Sequence, residues 1–562
     1  MTSIQYPNNL ELPLNIDRYQ SLGELLTASE QAFARRNALI NYDSKLSYAE
    51  IAEKSACLRD FLISNCKIQK GDRVAIFMPN IMQFIVMVNA VLKCGAIVVN
   101  INPLYTPTEL THVLNDAKPK VIVFLENFAH VLAAVDPSYY PEHMIVTEMG
   151  DCFPWFKRIV FNAIVRYVKN LIPKHKPFNN IITWSQACKI GSRSKQHLNL
   201  DVKSSDIAFL QYTGGTTGVA KGAMLTHRNM IANIVQATSW VKSYYPDAEN
   251  YRVATPLPLY HIFSLTANFF TFYALGSENL LITNPRDLKS YMRDWKKYPV
   301  QAMAGVNTLF NALTLHPLFK TLPLAELKLT LGGGMAIQEV VAQRWHALAG
   351  NPIIQAYGLT EASPAVCINP LIQESFNGSV GLPLPETEIK FVDEKGETVA
   401  VGELGELWVR GPQVMKGYWN QTEETADVLT SDGWLKTGDI GYQNESSYVY
   451  LVDRKKDMII ISGFNVYPTE IESVLVKHSS IKEVAVIGAI DEYGVEVVQA
   501  CCVLHEGAVF DPAALDIFCR QSLTAYKTPK IYLQLREIPK SNVGKILKKD
   551  LKKNIKQYLL NP

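Results

Sequence analysis

Four glycines, three threonines and one lysine fall within the eleven residues Tyr212-Thr213-Gly214-Gly215-Thr216-Thr217-Gly218-Val219-Ala220-Lys221-Gly222, directly after the apolar run Ile207-Ala208-Phe209-Leu210. Glycine lets backbone N–H groups turn inward with no Cβ in the way, and threonine hydroxyls add further donors. A concave set of donors with the charge of Lys221 beside it suits a polyphosphate. No Gly-x-x-x-x-Gly-Lys-[Ser/Thr] register fits and Lys221 is followed by Gly222, which argues against a P-loop NTPase. Taken alone, a Gly/Thr linker has the same composition.

Other strings carry groups that a phosphate-binding site needs. Ile353-Ile354-Gln355-Ala356-Tyr357-Gly358-Leu359-Thr360-Glu361 delivers a ring, a hydroxyl and a carboxylate at the end of an apolar run. Tyr357 can stack on a purine, Thr360 can donate to phosphate, and Glu361 offers a hard oxygen to Mg²⁺. Leu329-Thr330-Leu331-Gly332-Gly333-Gly334-Met335 reads as a strand ending in a glycine turn, where α/β sheets bind ligands. Pro256-Leu257-Pro258-Leu259-Tyr260-His261-Ile262-Phe263 sets a histidine beside aromatic residues, although a lone histidine is more often structural. Gly433-Trp434-Leu435-Lys436-Thr437-Gly438-Asp439 places a carboxylate at a tight turn, able to accept two ribose hydroxyls or simply to close an Asx-type turn. Asp453-Arg454-Lys455-Lys456-Asp457 interrupts two apolar strands, and Pro539-Lys540-Ser541-Asn542-Val543-Gly544-Lys545 projects Lys545 from a glycine turn.

The ordered set, with Met224-Leu225-Thr226-His227-Arg228-Asn229 after the loop, resembles the adenylate-forming (acyl-activating) superfamily, which includes acyl-CoA synthetases, firefly luciferase and peptide-synthetase adenylation domains. The resemblance extends from about residue 20 to 550 and is greatest to bacterial long-chain fatty acyl-CoA synthetases. Gln211-Tyr212, Ile282-Thr283-Asn284-Pro285-Arg286-Asp287, Gly305-Val306-Asn307-Thr308-Leu309-Phe310 and Ser462-Gly463-Phe464-Asn465-Val466-Tyr467-Pro468 look like that branch. Glu445-Ser446-Ser447-Tyr448 departs from it by lacking a glycine often found in that turn.

The resemblance implies a fatty acid, ATP and coenzyme A as substrates, with Mg²⁺ as cofactor. It implies catalytic roles for Lys545, Thr360, Glu361 and His261, the last near the substrate carboxylate. Nucleotide and CoA contacts are expected from Thr213, Gly214, Gly215, Thr216, Thr217, Gly218, Lys221, Gly333, Gly334, Tyr357, Gly358, Asp439, Arg454, Lys456 and Gly463, and metal ligation from Glu361 and Thr216. Arg454 would hold the ribose and Lys456 would be a hinge residue. A carboxylate is a poor acyl donor, and joining it to the α-phosphate of ATP makes AMP its leaving group. That half needs positioning and charge neutralisation, and no general base. A thiol must then reach the carbonyl where Lys545 stood, so a small domain on a hinge suits the second half. Ligases for medium-chain or aryl acids, acyl-AMP ligases serving a carrier protein, and a catalytically silent nucleotide or lipid sensor share the fold. A sensor has no need of Lys545, Glu361 and Asp439 together.

The chain has 562 residues, 48% hydrophobic and 19% charged, enough for several domains with sizeable cores. A net charge of +2 gives no reason to expect nucleic acid. Nine cysteines without Cys-x-x-Cys or Cys/His metal spacing fit reduced thiols in a cytoplasm, and Cys501 and Cys502 should point to opposite faces of a strand. No signal peptide or spanning segment is legible, since the candidate 84–100 is broken by Asn89, Lys93 and Gly95.

Strand and helix patterns alternate over about 20–130, with helices at 27–35 and 48–65, the second capped by Ser47 and Glu50. The expected fold class is α/β: a large N-terminal domain (1–453) of doubly wound parallel sheets with a β-barrel-like subdomain at 378–452, a hinge at 454–458, and a small α+β domain at 459–562. In that last domain Lys548, Lys549, Lys552 and Lys553 read as solvent-facing. Residues 153–176 stand apart. On a helical wheel Arg158, Asn162, Arg166, Lys169 and Asn170 share one face, and Phe156, Ile159, Val160, Phe161, Ile164, Val165, Tyr167, Val168, Leu171 and Ile172 fill the rest. Two readings stand: a helix in the plane of an anionic membrane surface, peripheral on its inner face, or a helix packed on its own domain with a solvated basic rim. A homodimer is a matter of family analogy.

Overall fold

The computed structural model describes residues 4–194, 201–213, 220–461, 464–491, 495–541 and 544–560. The expected ligands Gly214, Gly215, Thr216, Thr217, Gly218 and Gly463 lie outside these residues.

Alternating apolar runs and helices build two mainly parallel sheets. One has the strand order Ile181–Thr183, His143–Thr147, Val121–Leu125, Arg73–Phe77, Ile97–Ile101, Ile207–Thr213, Lys221–Thr226. Its neighbours pair in parallel except for the last two strands, an antiparallel hairpin that flanks residues 214–219. The other sheet has the order Leu382–Pro383, Ala365–Ile368, Ile354–Gly358, Leu329–Gly332, Ala302–Gly305, Arg252–Thr255, Glu278–Leu281, Asn37–Asn41, Ser44–Ser47, parallel at its centre and antiparallel at both edges. Strands such as Ile97–Ile101 and Val121–Leu125 are buried at every residue, which explains their nearly continuous apolar sequences, with Asn100 the one polar residue and hydrogen-bonded to Gln211.

One core cluster joins the two sheets. Ala38 and Leu39 belong to it from one sheet, Val74, Ile76 and Val98 from the other, and the helix Met82–Lys93 runs through it. That helix is buried from Met82 through Leu92, and it is apolar nearly all round because it has no solvent face. The helix expected at 27–35 starts earlier, at Leu22, because the Ser21 side chain accepts the Glu24 N–H and caps it. The helix Tyr48–Ser64 has the Ser47/Glu50 capping box that its spacing predicts.

Beyond residue 380 an antiparallel four-stranded sheet (Glu388–Val392, Gly405–Arg410, Leu435–Gln443, Val449–Arg454) forms the β-rich part. The final part packs helices Pro468–Leu475, Pro512–Arg520 and Lys548–Tyr558 on the sheet Ile481–Ile490, Glu496–Leu504, Ile531–Gln534. Cys501 and Cys502 enter core clusters on opposite faces of this sheet, as strand alternation requires. Lys548 corrects the expectation of a solvent-facing lysine: its Nζ lies 2.8 Å from Glu472 Oε1, with both side chains about one-sixth exposed or less (16% and 15%).

Residues 153–176 also depart from expectation. The helix Trp155–Ala163 continues as a π-helical turn, Ile164–Val168, and its polar side faces the protein. Arg166 pairs with Glu126 and Glu148, Asn162 bonds the Gly150 N–H and Glu148, and Arg158 donates to Ser185 Oγ. Unsatisfied acids on the domain surface have drawn the basic residues inward. Most of what is left in solvent is apolar: Trp155, Phe156, Ile159, Val160, Ile164, Tyr167, Val168 and Leu171 are all exposed, with Lys169 and Asn170 beside them. No helix among the described residues is long and apolar enough to cross a membrane.

Candidate active site

The central parallel strands carry site residues at their carboxyl ends, the position where open α/β sheets bind ligands. The strand Arg252–Thr255 leads to His261, Leu329–Gly332 to Gly333 and Gly334, and Ile354–Gly358 carries Tyr357 and leads to Thr360 and Glu361. From the other sheet the strand Ile207–Thr213 arrives at Thr213, which pairs with Lys221 across the hairpin.

Buried amides fix the His261 loop between the sheets. Asn80 Nδ2 donates to the carbonyls of Thr255 and Leu257 at 2.9 and 2.8 Å, and its Oδ1 accepts the Leu259 N–H at 2.7 Å. Gln211 donates to the Tyr260 carbonyl at 2.6 Å and accepts from Asn100 at 3.0 Å, so the strand entering the glycine-rich loop also holds the histidine loop. His261 Nδ1 accepts the Phe263 N–H at 3.3 Å, which assigns the ring proton to Nε2. Burial, with Lys545 nearby, depresses the imidazole to about 4, so His261 is a neutral N–H donor at physiological pH.

Asp439 sits opposite Arg454 on adjacent strands, and the Arg454 Nε lies 3.0 Å from its Oδ1. The Tyr357 hydroxyl donates to the other oxygen at 2.5 Å. Burial, then Asp439, raise the Tyr357 phenol well above its usual value, which keeps it a donor. Thr437 Oγ1 accepts the Asp439 N–H at 3.0 Å and shapes the turn. Gly333 packs against the Phe263 ring and the Ala356 carbonyl. Gly358 has a packing reason of its own, since a Cβ there would fall 2.2 Å from the Pro364 carbonyl oxygen.

Lys545 enters this cluster from the C-terminal part of the chain. Gly544 has φ +81°, and a Cβ on it would meet Thr308 Oγ1 at 2.3 Å, so only glycine lets the turn settle against the first turn of the helix Asn307–Leu315. The Ser541 N–H donates to the Lys545 carbonyl at 2.7 Å, and the Lys545 N–H to Ser541 Oγ at 3.1 Å. Burial lowers the Lys545 ammonium to about 8, with Arg454 and Lys456 adding like charge against the opposing Asp439. Lys456, in the turn Lys455–Asp457, is also lowered to about 8, by burial first and Arg454 second.

Among the described residues no group of three His, Cys, Asp or Glu side chains gathers to form a cage for a metal ion. Glu361 adjoins Thr360 in the chain, and Tyr418 bridges it to Lys221. That donor set fits Mg²⁺, which binds through one or two carboxylates plus substrate phosphates. Sequence reasoning missed Tyr418, whose hydroxyl donates to Glu361 Oε1 at 2.7 Å. Burial and the Glu361 carboxylate raise its phenol and keep it a donor.

A family model described as AMP-binding enzyme matches residues 26–419, and one described as AMP-binding enzyme C-terminal domain matches 470–545. The chain belongs to the AMP-binding enzyme family. It is 46% identical over 550 residues to the long-chain-fatty-acid–CoA ligase of Salmonella typhimurium, covering 98% of this chain and 97% of that protein. To the enzyme of that name in Bacillus subtilis it is 38% identical, over 97% of this chain and 96% of that one. ATP-bound MatB from Rhodopseudomonas palustris superposes with a TM-score of 0.78 at 26% identity, covering 95% and 99% of the two chains. The anthranilate–CoA ligase AuaEII shares the fold, with a TM-score of 0.83 at 22% identity over 98% and 99%.

In this AMP-binding enzyme, two lysines held near 8 are charged below that pH and lose their charge as pH rises through it. A bound polyphosphate favours the charged form and raises both. ATP binding at pH 8.5 is therefore expected to take up protons. ATP affinity should fall on the order of tenfold between pH 7.5 and 9.5, equivalent to about one pKa unit of differential interaction. Calorimetry in buffers of different ionisation enthalpy measures both. Lys545→Met should reduce the uptake, and a wild-type protein with no uptake and a flat affinity would overturn the assignment.

Proposed function

We propose that this chain is a long-chain fatty acid–CoA ligase. It joins a long-chain fatty acid to the α-phosphate of ATP, releasing pyrophosphate, and then passes the acyl group to the thiol of coenzyme A, releasing AMP. The observation that carries this reading is the meeting of Lys545 with Asp439, Arg454 and the neutral His261 at the strand ends. It is joined to near full-length similarity to long-chain-fatty-acid–CoA ligases.

Each group has a place in that scheme. Asp439 accepts the ribose hydroxyls and Arg454 holds the same sugar, while the Tyr357 ring covers the purine. Lys221, Thr213 and the 214–218 segment hold the phosphates. Glu361 and Thr216 would hold Mg²⁺, which when bound would supply positive charge against the phosphates that otherwise repel the incoming carboxylate. His261 Nε2–H orients the fatty acid carboxylate, and Lys545 stabilises charge on the α-phosphate. AMP release by the purified protein with ATP, Mg²⁺ and palmitate is expected to require CoA. Pyrophosphate release with little CoA dependence would instead mark an acyl-AMP ligase, and turnover only with shorter or aromatic acids a ligase of another chain class.

Thioester formation requires Lys545 to give up its place to the incoming thiol, and residues 454–458 are the proposed hinge, with Gly463 beside the CoA path. The turn Lys455–Asp457 lies between the strands Val449–Arg454 and Ile459–Ile461 and is tied to the β-rich sheet by Lys455 to Glu406 at 2.9 Å. Lys456→Pro is expected to impair the thioester half more than adenylation, measured with preformed acyl-adenylate. Lys545→Ala should do the reverse, costing on the order of 10²–10³ in adenylation rate. Equal losses in both halves for Lys456→Pro would sink the hinge.

The exposed face of 155–171 is proposed to rest on a lipid bilayer. Trp155 and Tyr167 are 75% and 80% exposed, and such rings favour the headgroup level. Lys169, Lys174 and Lys176 follow in solvent, where their stems can lie along the surface. Because Arg158 and Arg166 are satisfied internally, binding rests mainly on apolar burial and needs little anionic lipid. Trp155→Ser/Phe156→Ser/Tyr167→Ser is expected to weaken sedimentation with phosphatidylcholine vesicles by tenfold or more. Unchanged sedimentation would overturn the contact, as would a wild-type dimer that the triple variant dissolves, since a second copy would then own the face.

A further inference from the structure

Lys221, Tyr418 and Glu361 form a line of contacts across the cleft that the scheme above leaves unexplained at its centre. The segment 416–419 lies along the strand Lys221–Thr226 as an added edge. The Lys416 N–H donates to the Met224 carbonyl at 3.0 Å, the Met224 N–H to Gly417 at 2.8 Å, and the Trp419 N–H to Gly222 at 2.8 Å. Tyr418 thus pairs with Ala223, and its own N–H donates to Thr425 Oγ1 at 2.9 Å. Next in the chain, Trp419 Nε1 donates to the Asp116 carbonyl at 3.2 Å and Asn420 Nδ2 to Asp116 Oδ1 at 3.2 Å. Asp116 Oδ2 accepts the Tyr212 hydroxyl at 2.6 Å, so the same carboxylate steadies the strand that enters the glycine-rich loop.

From this fixed backbone the Tyr418 side chain works in two directions. Its hydroxyl donates to Glu361 Oε1, and its ring lies 5.3 Å from Lys221 Nζ. No hydrogen bond from a described residue reaches Glu361 Oε2. The terminal torsion of a glutamate is broad, so a lone carboxylate at a strand exit presents either oxygen in many orientations. A donor locked onto one oxygen narrows that range and aims the other. Partners of metal-ligating carboxylates commonly do this, and their loss weakens metal affinity by about 10–100-fold. The ring face meanwhile attracts the Lys221 ammonium, which limits the reach of a long flexible side chain.

We propose that Tyr418 is a positioning residue for the metal–nucleotide complex, its hydroxyl aiming Glu361 Oε2 at the divalent cation carried by ATP and its ring seating Lys221 beside the phosphates. The inference rests on Glu361 being the metal ligand in the function proposed above. Tyr418→Phe removes the hydroxyl and keeps the ring. The probe is Mn²⁺ binding, followed by electron paramagnetic resonance, with saturating non-hydrolysable ATP analogue. The variant should bind Mn²⁺ about tenfold more weakly, while its affinity for the analogue without metal stays within twofold of wild type. In a Glu361→Gln background the same change should add no further loss.

Mn²⁺ affinity within twofold of wild type in Tyr418→Phe would overturn the proposal, and so would an additive loss in the Glu361→Gln background. Equal weakening of metal-free nucleotide binding would overturn it as well, by marking Tyr418 as a packing residue of the loop stem. If the wild-type complex binds Mn²⁺ no better than the analogue alone, the Glu361 assignment falls and this inference with it, whereas CoA-dependent turnover with palmitate tests the ligase reading separately.

Discussion

The Asp439 carboxylate is the joint at which three parts of the chain meet. It is almost fully buried, and it accepts the Tyr357 hydroxyl from the end of a central parallel strand and the Arg454 guanidinium from the β-rich sheet. Its field also reaches Lys545 and Lys456, where it opposes the depression that burial imposes. A carboxylate taken from water without such partners would be strongly disfavoured, so the position of each element is tied to the charge at this point. The strand register sets Asp439 directly opposite Arg454. Backbone register thus brings this pair together without a search through solvent and makes the joint rigid.

Much of this was legible in the sequence, for physical reasons that differ from one element to another. Buried parallel strands need mostly apolar residues, so Ile97–Ile101, Val121–Leu125 and Leu329–Gly332 stood out against the helices between them. Capping chemistry is local, and Ser47 with Glu50 marked a helix start to the residue. Glycine positions were read correctly as backbone requirements where the chain turns, as at Gly544. Gly358 shows the limit of that reading, because close approach of the Pro364 carbonyl demands glycine there with no ligand involved.

What stayed illegible depends on partners distant in sequence. The wheel over 153–176 left open which side faces solvent, and its split holds only in part, since Val165 is buried, Phe161 and Ile172 pack on the core, and Lys169 and Asn170 are exposed. The answer lay in Glu126 and Glu148, whose carboxylates take Arg166 inward and leave the apolar side exposed. Lys548 looked like its lysine neighbours, and only the fold brings Glu472 to it. Asn80 and Gln211 carry no signal as single amides, yet they bind the histidine loop to the strand that enters the glycine-rich loop. Tyr418 was hidden for the same reason, since its hydroxyl reaches a carboxylate 57 positions away.

The arrangement of charge bears on how a two-step enzyme commits to its first step. Arg454, Lys456 and Lys545 are gathered with Asp439 and Asp457 to oppose them, Glu361 also acting on Arg454, and both lysines have their ammonium forms disfavoured. Contacts holding the C-terminal part against the rest are modest by comparison: Lys477 to Glu339 at 3.9 Å with both side chains mostly exposed, the Thr469 N–H on Asp453, and the fit of Gly544 over Thr308. An exposed pair of that kind contributes little. The like charges of Arg454, Lys456 and Lys545 repel one another, and a polyphosphate bound among them would supply opposing negative charge. Loss of pyrophosphate withdraws most of that anionic charge and leaves the adenylate behind. The charges that disfavour the two ammonium forms in the free protein would thus favour a bound polyphosphate, and would hold the adenylate less strongly once pyrophosphate has left.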